Sequence, residues 1–241
     1  MEDTLVVFLL VVGGLAVLTI LVRVIRQRSI QEETSSLLTE IAPSRTVATL
    51  QPKTRDLSEL LPQDFVVLDL ETTGLNPERD EIIEIGAIHF TLDTENHATF
   101  QTLVKPLRKV PAKIAGITGI SQEMVDRDGL PLEDVLRQFM GFIGDMPLVT
   151  FNAEFDMGFL NNAARKHGLK IPNRYTCALK RARRAWPGLP SYRLVDLAKM
   201  GNLSDEDTHR ALGDCTRAAI VFTSATSTLG QKVRWTTTQS D

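Results

Sequence analysis

Four acidic side chains and one histidine, spread over three segments, have the composition of a metal-dependent catalytic site. Asp69 and Glu71 lie in FVVLDLETTG, Asp156 lies in VTFNAEFD, and His209 and Asp214 lie in HRALGD. Carboxylate oxygens suit hard divalent cations such as Mg²⁺ or Mn²⁺, and two such ions about 4 Å apart can hold the attacking and leaving oxygens of a phosphodiester. A histidine with a near-neutral pKa can accept a proton from the attacking water. These residues predict a metal-dependent nuclease.

The spacing of Asp69 and Glu71 places both carboxylates on one face of a β-strand. FVVLDL is an apolar run typical of a buried strand, in which side chains two positions apart project to the same side. Asp93 and Glu95 have the same spacing, but TLDTENH is rich in turn residues and indicates a solvated loop. From the pair alone, a strand-end pair facing water remains an alternative for Asp69 and Glu71.

The other candidate residues are placed by a predicted helix start and by their neighbours. Asn152 is the expected N-cap of a helix that follows the apolar strand PLVTF, so Asp156 lies in the first turn, where the helix dipole favours an anion. An acid that only stabilises the helix terminus is the alternative. His209 and Asp214 are about 140° apart around an ideal helix. Either His209 therefore belongs to the preceding loop, or the site wraps around the helix N-terminus.

Taken together, these segments resemble the DEDDh 3′–5′ exonucleases, the family that includes the proofreading domain of the DNA polymerase III epsilon subunit. The resemblance covers residues 64–229 through VVLDLETTGL, RDEIIEIGAI, IAGIT, FNAEFDMGFL and HRALGDCTRAA, in that order. It implies that two divalent metal ions, Mg²⁺ or Mn²⁺, are bound by Asp69, Glu71, Asp156 and Asp214. It also implies that His209 is the general base and that the products are nucleoside 5′-monophosphates released from the 3′ end.

Further positions match substrate-side residues of the family, with one visible departure. Family members commonly have a histidine where this chain has Phe151. That position is not a metal ligand, so altered packing near the site is expected and the chemistry is expected to be kept. The residues assigned to substrate binding by resemblance are Thr72, Thr73, Leu75, Ile117, Thr118 and Asn152.

A basic segment is the predicted contact for the nucleic-acid backbone. Ten Lys or Arg residues and one acid lie between Arg165 and Lys199, with tyrosine and tryptophan interleaved. This mixture suits phosphates and stacked bases, although a solvated helix face is the alternative. The predicted binding residues are Lys180, Arg181, Arg183 and Arg184. The expected partner is a nucleic acid 3′ end, with single-stranded DNA favoured and RNA as the alternative. The net charge of −3 means that the chain as a whole does not attract a polyanion.

Residues 4–22 predict a membrane anchor. This uncharged run of nineteen residues can span a bilayer core of about 30 Å at about 1.5 Å per residue. A cleaved signal peptide is the alternative, but such peptides begin with a basic region, whereas here Glu2 and Asp3 precede the run and three arginines follow it by residue 28. The positive-inside rule then predicts a single-pass protein of the inner or plasma membrane with a cytoplasmic catalytic domain.

The remaining pattern predicts one α/β domain. The expected organisation is an anchor with its basic flank at 1–28, a linker at 29–63, an exonuclease domain at 64–229 and a short tail at 230–241. Strand and helix patterns alternate after three early strands, and the family resemblance implies a ribonuclease H-like mixed β-sheet flanked by helices and preceded by one transmembrane helix. An exoribonuclease and a non-catalytic, membrane-tethered nucleic-acid adaptor are the alternative functions.

Overall fold

The computed structural model describes residues 57–92, 94, 96–200 and 210–238. Within these ranges no helix has both the length and the apolar character needed to cross a membrane. The predicted anchor at residues 4–22 and the predicted general base His209 lie outside the described residues.

The described strands form one mixed sheet in the order β3-β2-β1-β4-β5. β1 pairs antiparallel with β2, and β2 with β3, whereas β1, β4 and β5 run parallel to one another. Strands β1 to β4 coincide with the apolar strand patterns that the sequence shows at 65–70, 82–90, 98–104 and 147–151. Strand β5 overlaps the start of the helix expected near 176–185, because three residues are too few for a periodic signal. The strand bounds are β1 Asp64–Thr72, β2 Ile82–Thr91, β3 Ala98–Leu103, β4 Leu148–Thr150 and β5 Tyr175–Cys177.

Helices cover both faces of this sheet, as predicted. The helix bounds are α1 Leu57–Leu60, α2 Ala112–Thr118, α3 Gln122–Asp128, α4 Leu132–Ile143, α5 Ala153–Lys166, α6 Ala178–Ala185, α7 Leu194–Met200 and α8 Ala211–Leu229. The helices that the sequence predicts near 131–143, 153–167, 176–185, 193–200 and 209–227 correspond to α4 to α8, and the short helices α1, α2 and α3 are additions to this set. α8 packs along β1 and β2 and also contacts α6 and α7.

The alternation of side chains along β1 determines which face carries the acids. Val66, Leu68 and Leu70 belong to the apolar core shared with α4 and α5. On the opposite face, the Phe65 ring lies 5.7 Å from the Phe222 ring of α8, measured between centroids. Asp69 and Glu71 continue this second face, so the strand directs their carboxylates toward the side of the sheet covered by α8.

The segment after α8 returns to the edge of the sheet. Tyr175 and Thr236 exchange two backbone hydrogen bonds, with N···O distances of 2.9 and 2.7 Å. Between α8 and Thr236, the Val233 N–H donates to the Leu60 carbonyl of α1 at 3.2 Å. Part of the segment predicted as a short tail therefore covers the edge of β5, where unpaired backbone groups would otherwise be exposed.

Candidate active site

Three acids from two distant parts of the chain converge at the end of β1. Asp69 and Glu71 come from the strand and Asp214 from the first turn of α8, and each offers a carboxylate oxygen within 4.8 Å of the other two. Carboxylates at this separation can share a divalent cation of the Mg²⁺ or Mn²⁺ type, because such ions prefer several oxygen ligands.

Asp156, the fourth predicted ligand, approaches the same region from α5. Its side chain is 3% exposed, and the Thr150 hydroxyl donates a hydrogen bond of 2.8 Å to its Oδ2. Burial is the largest cause of the raised pKa of Asp69, and the charge of Asp156 is the next largest. Asn152 occupies the N-cap position and its carbonyl accepts from the Asp156 N–H at 3.2 Å, but its side chain makes no capping bond.

The acids raise one another's pKa values. Burial and the charges of Asp156 and Asp214 raise the pKa of Asp69 well above its usual range. Burial, followed by the charges of Asp214 and Glu84, raises the pKa of Glu71 to about 8. Burial raises the pKa of Asp156 to about 7, although the Thr150 hydrogen bond acts against this shift. Full ionisation of these carboxyls is therefore unfavourable without a counter-charge, which a divalent cation would supply, so the donor set fits such ions.

The buried Glu84 and the partly exposed Arg210 form an ion pair beside these acids. Glu84 is completely buried and lies opposite Glu71 in the β1–β2 register. Arg210 Nη2 donates to Glu84 Oε1 at 2.6 Å, and the Ala211 N–H donates to Oε2 at 3.0 Å. Gln101 Nε2 donates a further bond of 3.0 Å to Oε1. One carboxylate thus joins β2 and β3 to the residue that precedes α8.

Sequence reasoning misses this pair, although a signal for it is present. Glu84 is the one charged residue in the apolar run IIEIGAI, and Arg210 directly follows His209 in HRALGD. A buried charge in a central strand requires a partner, and arginine is suited to a two-pronged contact with a carboxylate. A second arginine, Arg217, donates to Asp214 Oδ1 at 2.7 Å and lies one turn along α8.

Two local features bring α8 close to the strands. The register of β1 against β2 shifts after Glu71, so that Thr72 lies opposite Ile82; a bulge of this kind changes the direction of the strand end. Gly86 lies opposite Asp69, and a Cβ at this position would be 2.5 Å from the Ala211 Cβ. The absence of a side chain at Gly86 therefore allows the first turn of α8 to approach the acids.

The predicted substrate residues of the β1 loop divide into surface contacts and loop supports. Leu75 is 84% exposed, which leaves its side chain free to contact a ligand. Thr72 is buried, and its hydroxyl donates to the Gly74 carbonyl. The Thr73 hydroxyl accepts from the Glu81 N–H at 2.9 Å. The two threonines thus stabilise the loop that carries Leu75.

The α2 segment shows the same division. Ile117 is exposed, whereas Thr118 is buried. The Thr118 hydroxyl donates to the Ile114 carbonyl and accepts from the Ile120 N–H, each at 3.1 Å. Ile117 is thus the member of this pair that can reach a substrate.

The four predicted basic residues all lie on α6, with different exposures. Lys180, Arg183 and Arg184 are exposed, but Arg181 is buried against α8, where its Nε donates to the Thr226 hydroxyl at 2.7 Å. Phe151, which replaces the family histidine, packs into the apolar cluster between α6, α7 and α8.

The sequence is similar to those of known exonucleases. Residues 66–222 match the family described as RNase_T: Exonuclease. DNA polymerase III subunit epsilon of Aquifex aeolicus is 38% identical over 174 residues, covering 70% of this chain and 83% of that protein. DNA polymerase III PolC-type of Clostridium perfringens is 38% identical over 165 residues, covering 68% of this chain but 11% of that protein. The chain thus spans a small part of its PolC-type relative.

Solved structures share the same architecture. Exonuclease X in complex with 5′ overhanging duplex DNA superposes with a TM-score of 0.54 at 28% identity, covering 67% of this chain and 90% of that one. The nuclease domain of 3′hExo, a DEDDh family member bound to rAMP, gives a TM-score of 0.60 at 22% identity, covering 72% and 96%. The fold is the predicted ribonuclease H-like one. This chain belongs to the RNase_T exonuclease family, whose members use divalent metals, and residues 66–222 form a DEDDh-type exonuclease domain.

Proposed function

We propose that this protein is a 3′–5′ exonuclease that removes nucleoside 5′-monophosphates from DNA. The observation that carries the proposal is the convergence of Asp69, Glu71 and Asp214 within 4.8 Å. Together with Asp156, these residues would hold Mg²⁺ or Mn²⁺. Bound there, the ions would supply Lewis-acid stabilisation of negative charge on the phosphate oxygens.

His209 is the proposed general base. It is bonded covalently to Arg210, which Glu84 holds at the start of α8. His209 would take a proton from a water as the water oxygen forms a bond to phosphorus and the bond between phosphorus and the 3′ oxygen breaks. The shortened strand would gain a 3′ hydroxyl by taking a proton from solvent. Leu75 and Ile117, which are exposed, would contact the terminal nucleotide.

DNA is the favoured substrate because the more similar proteins are DNA polymerase III proteins or have been solved in complex with DNA. The 38% identical relatives are DNA polymerase III proteins, and the structure of Exonuclease X, at 28% identity, contains duplex DNA. An exoribonuclease is the second candidate, supported by the rAMP bound to 3′hExo. Matched DNA and RNA oligonucleotides of one sequence distinguish the two, since only the sugar differs between them.

The test uses the full-length protein, an oligonucleotide labelled at either end, and Mg²⁺ or Mn²⁺. Release of the 3′ label as a mononucleotide, with a descending ladder from the 5′ label, is the expected result. Asp69→Ala or Asp214→Ala should lower the rate by at least about a thousandfold, since each removes a metal ligand. Asp145→Ala, an exposed acid outside the site, is the control and should retain the rate. Wild-type activity in Asp214→Ala would refute the site.

We further propose that residues 4–22 anchor the enzyme in the inner or plasma membrane, with the exonuclease domain in the cytoplasm. Support comes from the nineteen uncharged residues and from the arginines that follow them. Deleting residues 4–22 should move the protein from the membrane fraction to the supernatant. A reporter fused after Asp241 that is active only on the outer side of the membrane would overturn this topology.

A further inference from the structure

A basic pocket of about 330 Å³ lies beside β5, at the edge of the sheet. Its walls come from the start of α5, from β5, from α6 and from the segment that follows α8. Four cationic side chains line it, together with one carboxylate, that of Glu154. The cations are Lys180, Arg181, Arg184 and Arg234.

Two arginines of this pocket, Arg181 and Arg184, have neutral hydrogen-bond partners. Arg181 is 6% exposed, and it donates to the Thr226 hydroxyl and to the Gln231 carbonyl. Arg184 donates to the Gln231 side-chain oxygen at 3.1 Å. Among the described residues no carboxylate lies within ion-pair distance of either guanidinium. A buried cation with neutral partners alone is costly, so a bound anion would stabilise this arrangement.

The electrostatics of Arg181 agree with this interpretation. Burial, followed by the charge of Arg184, lowers the pKa of Arg181 to about 10. The two guanidinium groups therefore repel each other across the pocket. An anion placed between them would relieve the repulsion and would receive hydrogen bonds from charged donors.

The pocket and the acids lie toward the same end of the sheet, where the parallel strands β1, β4 and β5 finish. Cys177 ends β5, and Ala153 and Glu154 follow the end of β4, so the pocket is at the carboxyl ends of these parallel strands. β1 also runs parallel to β4, and its carboxyl end carries Asp69 and Glu71. β5 is two strand spacings from β1, about 10 Å. One bound strand can therefore contact both places.

We propose that the basic pocket binds a backbone phosphate of the nucleic-acid strand whose 3′ end lies at the acidic site. The inference rests on the proposed function and specifies how the substrate is held. Guanidinium groups match phosphate geometry better than a single ammonium does, which favours phosphate as the ligand. Arg234 becomes a binding residue that the sequence does not indicate. Arg183 does not line the pocket, since its guanidinium lies over the Tyr192 ring, 5.7 Å from the centroid.

The test compares the triple variant Lys180→Gln/Arg184→Gln/Arg234→Gln with Arg137→Gln, which removes an exposed charge from α4, outside the pocket and outside the predicted basic segment. Binding of a single-stranded oligonucleotide to the full-length protein is measured in EDTA over a range of salt concentrations. The triple variant should bind about tenfold more weakly, and the slope of log K against log salt should decrease by about 0.7 for each phosphate that is no longer neutralised. Arg137→Gln should retain the wild-type slope. Arg234→Gln alone, which leaves α6 unchanged, should show part of the decrease.

Substrate length identifies the source of the phosphate. If the pocket holds a strand phosphate, the triple variant and wild type should bind a dinucleotide with equal affinity. The affinity of the triple variant should then drop below that of wild type as the oligonucleotide is lengthened. If a free nucleoside 5′-monophosphate binds wild type and not the triple variant, the pocket holds product and the strand assignment is overturned. Equal salt slopes in wild type and triple variant would also overturn it. Failure of the proposed function looks different, because wild type itself would then neither bind nor hydrolyse the oligonucleotide.

Discussion

The ion pair of Glu84 and Arg210 should contribute strongly to stability, because one partner is completely buried. In Arg210→Met the Glu84 carboxylate loses three contacts with the guanidinium, one of 2.6 Å and two of 3.2 Å, and keeps those from Ala211 and Gln101. Removing one partner of a buried pair costs about 3–5 kcal/mol. The Arg210 side chain is 38% exposed, so solvent already weakens the pair and the lower end, about 3 kcal/mol, is expected.

A double-mutant cycle isolates the pair from other effects. Glu84→Gln should cost less than Arg210→Met, about 1–2 kcal/mol, because the partly exposed arginine can turn to water whereas the buried carboxylate cannot. The variant Glu84→Gln/Arg210→Met places a neutral amide where the charge was. It should be no less stable than Arg210→Met, so the two losses should not add.

Urea and thermal unfolding of the full-length protein provide the measurement. A loss of about 3 kcal/mol corresponds to a decrease in Tm of about 6–12 °C for a domain of this size. Arg127→Met is the matched control, since Arg127 forms a surface pair with Asp128 at 2.7 Å and its removal should leave the unfolding midpoint unchanged. A cost below about 1 kcal/mol for Arg210→Met, or additive losses in the cycle, would refute the reasoning.

Two further predictions concern the approach of α8 and the titration of the acids. Gly86→Ala should destabilise the protein by about 1–3 kcal/mol and lower activity, because the new Cβ would lie 2.5 Å from the Ala211 Cβ. Gly141→Ala, in α4, should instead leave stability unchanged or increase it, because no atom of another element lies within 4 Å of the added Cβ. Equal changes in the urea unfolding midpoint for the two variants would contradict the explanation by close packing at Gly86. The pKa values of Glu71 and Asp156 are raised to about 8 and about 7, so the metal-free protein should lose stability as the pH rises through these values. Because metal binding requires the ionised forms, the increase in Tm produced by Mn²⁺ should be larger at about pH 8.5 than at about pH 6. Calorimetry in buffers of different ionisation enthalpy should also detect proton release on metal binding. A Tm increase independent of pH would exclude this coupling.

Much of the acidic site could be predicted from short-range patterns. The two-residue period of a strand places Asp69 and Glu71 on one face, and a polar residue before an apolar helix places Asp156 in a first turn. These features depend on neighbours within a few positions, which the sequence displays directly. The order of the motifs then indicated the family, and with it the proposed ligand role of Asp214.

The roles of single basic residues could not be predicted in this way. Lys180 and Arg181 are adjacent in sequence, yet one is exposed and the other is buried against α8. The side of α6 that packs inward depends on where α8 lies, and no local period specifies that position. Arg234 joins Lys180 only because the C-terminal segment pairs with β5.

By itself, the sequence determined the donor types of the site, the strand and helix that present them, and the exonuclease family. The tertiary structure decided that Glu84 and Arg210, 126 residues apart, meet beside those donors, and that a basic pocket forms at the β5 edge, toward the same end of the sheet. Local backbone preferences act over a few residues and can be read from their order. Contacts over a hundred residues arise only when whole elements pack together and each buried charge finds a partner.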